Sequence, residues 1–208
     1  MHVDRGRLIT IEGIDGAGKT TLALALLDEL KARGLNVLLL REPGGVPAAE
    51  RIRELVIDPE LHMTARTEAL LYAAARAQLV AEAIEPRLRT GKWVLLDRFI
   101  DSSLAYQGGG RALGIDAVRA INGFAIRTAW PDRTLLLMVD ADLGRSRSRS
   151  RASAPDRLER EQKDFFERTV SAYLELAAED PARIRMIDAA RPAEDVLAQA
   201  VAELADLL

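Results

Sequence analysis

The chain contains no cysteine. That excludes disulfides, thiolate metal ligands and a cysteine nucleophile, and it suits a reducing compartment. No stretch approaches the roughly 18 consecutive apolar residues of a membrane span, and the N-terminal MHVDRGRLITIEG lacks the apolar run of a signal peptide. Excess positive charge is also missing: 29 basic residues stand against 32 acidic ones, for a formal net charge of −3. This argues against affinity of the whole protein for nucleic acid or an anionic membrane, and leaves room only for a local basic site. Internal repeats and long linkers are absent. The expectation is a cytoplasmic protein whose 208 residues form a single domain with a substantial core.

Short apolar runs alternate with longer helical patterns. LITIEG (8–13), NVLLLRE (36–42), WVLLDRF (93–99), TLLLMVD (134–140) and IRMID (184–188) read as strands. The continuous ones are apolar on both sides, as in a parallel sheet buried on both faces. Helices are expected over 19–34, 64–90 with a break near Pro86, 115–129, 157–179 and 193–208. The alternation predicts an α/β domain, a doubly wound parallel sheet of five strands flanked by helices. One loop is compositionally odd. It begins GRSRSRSR (144–151) and places Arg145, Arg147, Arg149 and Arg151 among serines.

The first strand runs into GIDGAGKT (13–20), which fits G-x-x-x-x-G-K-[ST] with a strand before and a helix after. Gly13, Gly16 and Gly18 free the backbone to turn successive N–H groups inward at phosphate oxygens, and the helix adds the positive end of its dipole. Lys19 is placed to reach the β- and γ-phosphates, and the Thr20 hydroxyl to ligate Mg²⁺. The stretch therefore binds a nucleoside triphosphate, with Gly13, Ile14, Asp15, Gly16, Ala17, Gly18, Lys19, Thr20 and Thr21 forming the cradle.

A phosphate cradle does not by itself separate a switch, a motor and a transferase. A GTPase switch would carry D-x-x-G and N-K-x-D, and neither occurs beyond this loop. The second cluster is DRFIDSSLAYQGGGR (97–111). Asp97 falls at the carboxyl end of a strand, where open α/β sheets bind ligands, and can hold Mg²⁺ directly or through water. Arg98 offers a planar fork for a second phosphate. Taken alone, the two residues would equally suit an ion pair capping the strand.

EGIDGAGKTT, REPGG (41–45), DRFIDSSLAYQGGGR and the arginine-rich segment followed by DRLE, in this order and spacing, resemble the thymidylate kinases. The likeness runs from Leu8 to the last helix. It implies a nucleoside monophosphate kinase of the P-loop fold, usually a homodimer, that transfers the γ-phosphoryl group of Mg·ATP to dTMP. The runner-up acceptor is another monophosphate such as dUMP, because a methyl group is worth only about 1–3 kcal/mol. The rival of another class is an ATP-dependent switch without kinase activity.

The resemblance also implies residue roles. Asp15 is the carboxylate near the acceptor's 3′-hydroxyl, and Arg98 grips the acceptor phosphate. Tyr72 and Arg76, four apart on one helix face, match an aromatic and an arginine that stack on thymine and bond its edge; without the resemblance they read as a core tyrosine and a solvated arginine. Ser103, Tyr106 and Gln107 match contacts to thymine and deoxyribose, Pro43 fixes the loop beside the base, and Arg191 stacks on adenine. Thymidylate kinases supply a further cation from the cradle or from a mobile lid. Gly16 stands where the first type has arginine, so the lid at about 144–156 would supply it, through Arg149 or Arg151. A positioned arginine speeds phosphoryl transfer by about 10³–10⁵. The alternative for the run is a solvated basic face.

Overall fold

A computed structural model describes residues 5–140, 143–144, 146–147, 157–158 and 161–208. Five parallel strands form one sheet in the order β2-β3-β1-β4-β5: β1 Leu8–Glu12, β2 Val37–Arg41, β3 Trp93–Asp97, β4 Arg133–Met138 and β5 Ile184–Asp188. Each lies within a residue or three of the apolar run that predicted it. Strand β1 is buried along its whole length, because its alternating side chains enter two separate cores. Ile9 and Ile11 join Leu26 and Leu30 of α1 (Lys19–Ala32) and Val196 of α8 (Ala193–Ala202). On the other face Leu8 joins Leu79 of α3 (Ala65–Leu79), Val118 of α6 (Ile115–Ile126) and Phe165 and Tyr173 of α7 (Lys163–Glu179). The expected doubly wound α/β fold is the one observed.

Glu12 and Thr10 also face this second core, so it carries a polar seam. The Thr10 and Thr134 hydroxyls meet at 2.8 Å, Thr134 donates to Asp101 at 2.9 Å, and Arg183 closes the seam on Asp101 at 2.7 Å. Strand connections leave β1 toward β2 and β3 toward β4, in opposite directions. The crevice at the carboxyl ends of β1 and β3 is therefore the switch point where such sheets take ligands.

The helices depart from expectation in several places. Helix α2 (Pro47–Ile57) was not expected; Pro47 occupies its first turn, where a missing N–H costs nothing. No break occurs at Pro86. Helix α3 passes through a π-helical turn at Val80–Ile84 into α4 (Glu85–Leu88), and this wide turn absorbs the proline's lost hydrogen bond. Helix α6 ends at Ile126, three residues early, where Arg127 takes φ +52°. Helix α7 begins at Lys163 rather than 157, and α8 ends at Ala202.

The stretch 100–110 is helical despite its three glycines: α5 (Ile100–Ser103) continues as a π-helical segment, Leu104–Gly110. Close approach to α7 explains the composition. A Cβ on Gly109 would sit 2.5 Å from the Ala172 Cβ and 3.1 Å from the Arg168 carbonyl oxygen. Gly109→Ala is expected to destabilise the protein by about 1–3 kcal/mol through overpacking. Urea unfolding measures this, and an unchanged midpoint would mean that the two helices are not held this close.

Candidate active site

The cradle takes the predicted form. Gly13, Gly16 and Gly18 have φ of +136°, +80° and +94°. At Gly16 sterics add to conformation, since a Cβ there would overlap the Gly144 carbonyl oxygen. No side chain fits at that position in this arrangement, in keeping with a glycine there in place of an arginine. Ile14 and Ala17 are buried in the core beneath the loop, while Thr21 is exposed on the first turn of α1.

Lys19 opens α1 and folds back over the loop, donating to the Ile14 carbonyl at 2.9 Å and lying 3.9 Å from Asp15 Oδ1. Burial and the nearby Arg98 charge push its ammonium down to about 8, against the pull of Asp15 and Asp97. Thr20 Oγ1 donates to Asp97 Oδ2 at 2.7 Å. Among the described residues no group of three or more His, Cys, Asp or Glu side chains could hold a metal by itself. The hydroxyl–carboxylate pair instead offers two hard oxygens side by side, which fits a cation that draws its other ligands from phosphate and water.

Arg98 follows β3 with φ +70°, a conformation rare for a side-chain-bearing residue. It turns the guanidinium across the crevice. Nη1 donates to the Gly13 carbonyl at 3.1 Å and to Ser102 Oγ at 3.0 Å. Nη2 pairs with Asp15 and reaches Tyr106 OH at 3.3 Å, with the tyrosine ring beneath the cation. Burial alone would raise Asp15, but Arg98 and Lys19 hold it down at about 2, so it stays ionised.

One cavity of about 250 Å³ is lined by Asp15, Lys19, Thr20, Pro43, Tyr72, Arg76, Asp97, Arg98, Ser103, Tyr106 and Gln107. Residues expected from four separate stretches thus line one cavity. Arg191 lies outside it, exposed at the carboxyl end of β5 and paired with Asp195 at 3.1 Å. Arg149 and Arg151 lie outside the described residues. From the same run, Arg147 donates to the Ala189 carbonyl at 2.9 Å.

Arg76 is neither solvated nor free to swing. It is 2% exposed and gives its donors to Glu42, Ser103, Asn122 and the Phe99 carbonyl. Its Nη2 lies 2.6 Å from Glu42 Oε2, and burial raises Glu42 to about 7 against that pull. Sequence reading passed over Glu42, Asn122, Glu68 and Arg53. The first two complete the Arg76 network, and Arg53 of α2 lines the cavity and donates to the Pro43 carbonyl at 3.0 Å. Arg53 was within reach of a helix prediction started at Pro47; the other three are legible only through contacts between distant residues.

Arg76→Ala is expected to cost about 3–5 kcal/mol of stability, because Glu42 would remain buried without its partner. Urea unfolding checks this, and a loss under about 1 kcal/mol would show that the pair does not hold the cavity wall.

A family model described as thymidylate kinase matches residues 11–200. The chain is 48% identical over 200 residues to the thymidylate kinase of Bordetella petrii, spanning 96% of this chain and 95% of that protein. It is 46% identical over 207 residues to that of Halorhodospira halophila, with 99% and 96% spanned, and 44% identical over 207 residues to that of Chromobacterium violaceum, with 100% and 97% spanned. With that match over nearly its whole length, and the phosphate loop, the crevice arginine and the cavity in place, this chain belongs to the thymidylate kinase family.

Proposed function

We propose that the chain transfers the γ-phosphoryl group of ATP to dTMP, forming dTDP and ADP. The observation that carries the reading is continuity. The Lys19–Thr20 end of the cradle and the Tyr72–Arg76–Ser103–Gln107 wall open into the same cavity, and Arg98 lies at their junction. An acceptor phosphate oxygen attacks the γ-phosphorus while the β–γ bridging bond breaks, and no covalent enzyme intermediate is needed. Lys19 and the cradle amides bind the donor phosphates, and Arg98 meets the acceptor phosphate and the transferring group. Asp15, ionised and held by Arg98 and Tyr106, is assigned to the acceptor sugar.

Thr20 and Asp97 are the residues that would hold Mg²⁺, which supplies charge neutralisation to the phosphates when bound. Tyr72 would stack on the base. The further cation is assigned to Arg149 or Arg151, and adenine stacking to Arg191. A homodimer is proposed through α3 and α6, adjoining helices whose Leu70 and Phe124 are 56% and 88% exposed. Large apolar side chains left to water on neighbouring helices suit a partner surface. No helix among the described residues is long and apolar enough to cross a membrane, in line with a cytoplasmic enzyme.

ADP release from Mg·ATP in the presence of dTMP, dUMP, UMP, CMP, AMP or GMP tests the reading. The strongest turnover is expected with dTMP, and Lys19→Ala should lower kcat by at least about a hundredfold. Preference for another monophosphate would overturn the acceptor assignment. ATP binding without turnover of any acceptor would make the protein a switch.

A further inference from the structure

Glu68 lies on α3 with its side chain fully buried, and no role assigned so far uses it. Three side chains converge on its carboxylate. Gln107 Nε2 is 2.8 Å away, Arg111 approaches through Nε at 3.2 Å and Nη2 at 3.0 Å, and Arg157 Nη1 is at 2.6 Å. An ionised carboxylate accepts hydrogen bonds and donates none. Gln107 must therefore turn its amide nitrogen toward Glu68, since the flipped amide would set two oxygens against each other. The carbonyl end is left for the cavity that Gln107 lines, where no described residue donates to it.

We infer that Glu68 is a specificity-positioning residue: by fixing the Gln107 amide it makes the cavity present a carbonyl acceptor, and so selects a nucleobase with a ring N–H over one whose ring nitrogen bears a lone pair. The inference rests on the proposed reading that Gln107 meets the acceptor base. Thymine and uracil carry a donor at N3, whereas cytosine carries a lone pair there. Cytosine would oppose two acceptors in a buried place and leave both unpaired.

Ser103, one turn earlier, does not impose the same choice. Arg76, which only donates, claims one lone pair of the Ser103 hydroxyl at 2.9 Å. The hydroxyl proton still rotates and the second lone pair still accepts, so this group adapts to either base. Gln107 cannot adapt while Glu68 remains an acceptor. A glutamine at position 68 would remove that constraint, because one amide can pair with another in either orientation.

The test compares kcat/KM for dTMP and dCMP, with dCMP also measured as a competitive inhibitor, in wild type, E68Q, Q107M, the double variant and R111M. Wild type should favour dTMP. E68Q should lower the dTMP:dCMP ratio by about tenfold or more, chiefly through KM, and Q107M by a similar factor. The double variant should show no further loss, since Glu68 acts through Gln107. R111M breaks an ion pair to the same carboxylate and should move the ratio less than about twofold. An unmoved ratio in folded E68Q, additive losses in the double variant, or an equal loss in R111M would overturn the inference. Should E68Q fail to fold, Q107M decides, and an unchanged ratio there overturns it. A wild type that does not use dTMP would instead overturn the reading beneath.

Discussion

The phosphate loop and the helix that follows β3 meet at the Arg98 guanidinium. It donates to the Gly13 carbonyl beyond β1, to Asp15 in the cradle and to Ser102 and Tyr106 on the helix after β3. Ser102 donates in turn to Glu12, fully buried at the end of β1, which also receives Tyr173 OH from α7 at 3.1 Å. Two strand ends, the phosphate loop and two helices are thereby held by one connected set of bonds. Such networks are stiff when complete, because each buried polar group would be costly if left alone. The left-handed backbone of Arg98 is the strained element that lets one side chain span both halves.

Charge is handled in the same way deeper in the cavity wall. Arg76 with Glu42, and Glu68 with Arg111 and Arg157, are buried pairs on a surface built to receive a polar ligand. Burying such pairs gains little net stability. What they secure is direction. A donor-only guanidinium and an acceptor-only carboxylate determine which way the neighbouring hydroxyl and amide face, so the wall offers the ligand a defined hydrogen-bond pattern. Tyr106 joins the two systems, since its hydroxyl donates to Asp15 at 3.2 Å while its ring packs on Phe165, over whose ring Arg111 lies at 4.9 Å.

Close packing serves the same end. Gly109 and Gly110 bring the helix that carries Ser103, Tyr106 and Gln107 against α7 more tightly than a side chain would allow, and Gly108 brings it close to Ile115 at the start of α6. Position and polarity of these cavity-lining residues thus come from one piece of secondary structure. Its helix propensity is poor and tertiary contact stabilises it.

The amino-acid sequence by itself determined the strands, their parallel doubly wound arrangement and the phosphate cradle. The reason is local: continuous apolar runs demand burial on two faces, and Gly13, Gly16 and Gly18 license the backbone turn wherever the chain goes next. Tertiary structure alone decided that 100–110 is helical, that Pro86 is absorbed in a π turn rather than breaking α3, and that Arg76 is an internal strut rather than a solvated arm. The helical 100–110 depends on Ala172 and Phe165, and the buried Arg76 on Glu42 and Asn122, residues distant in the chain, and no periodicity or local motif carries the distance between them.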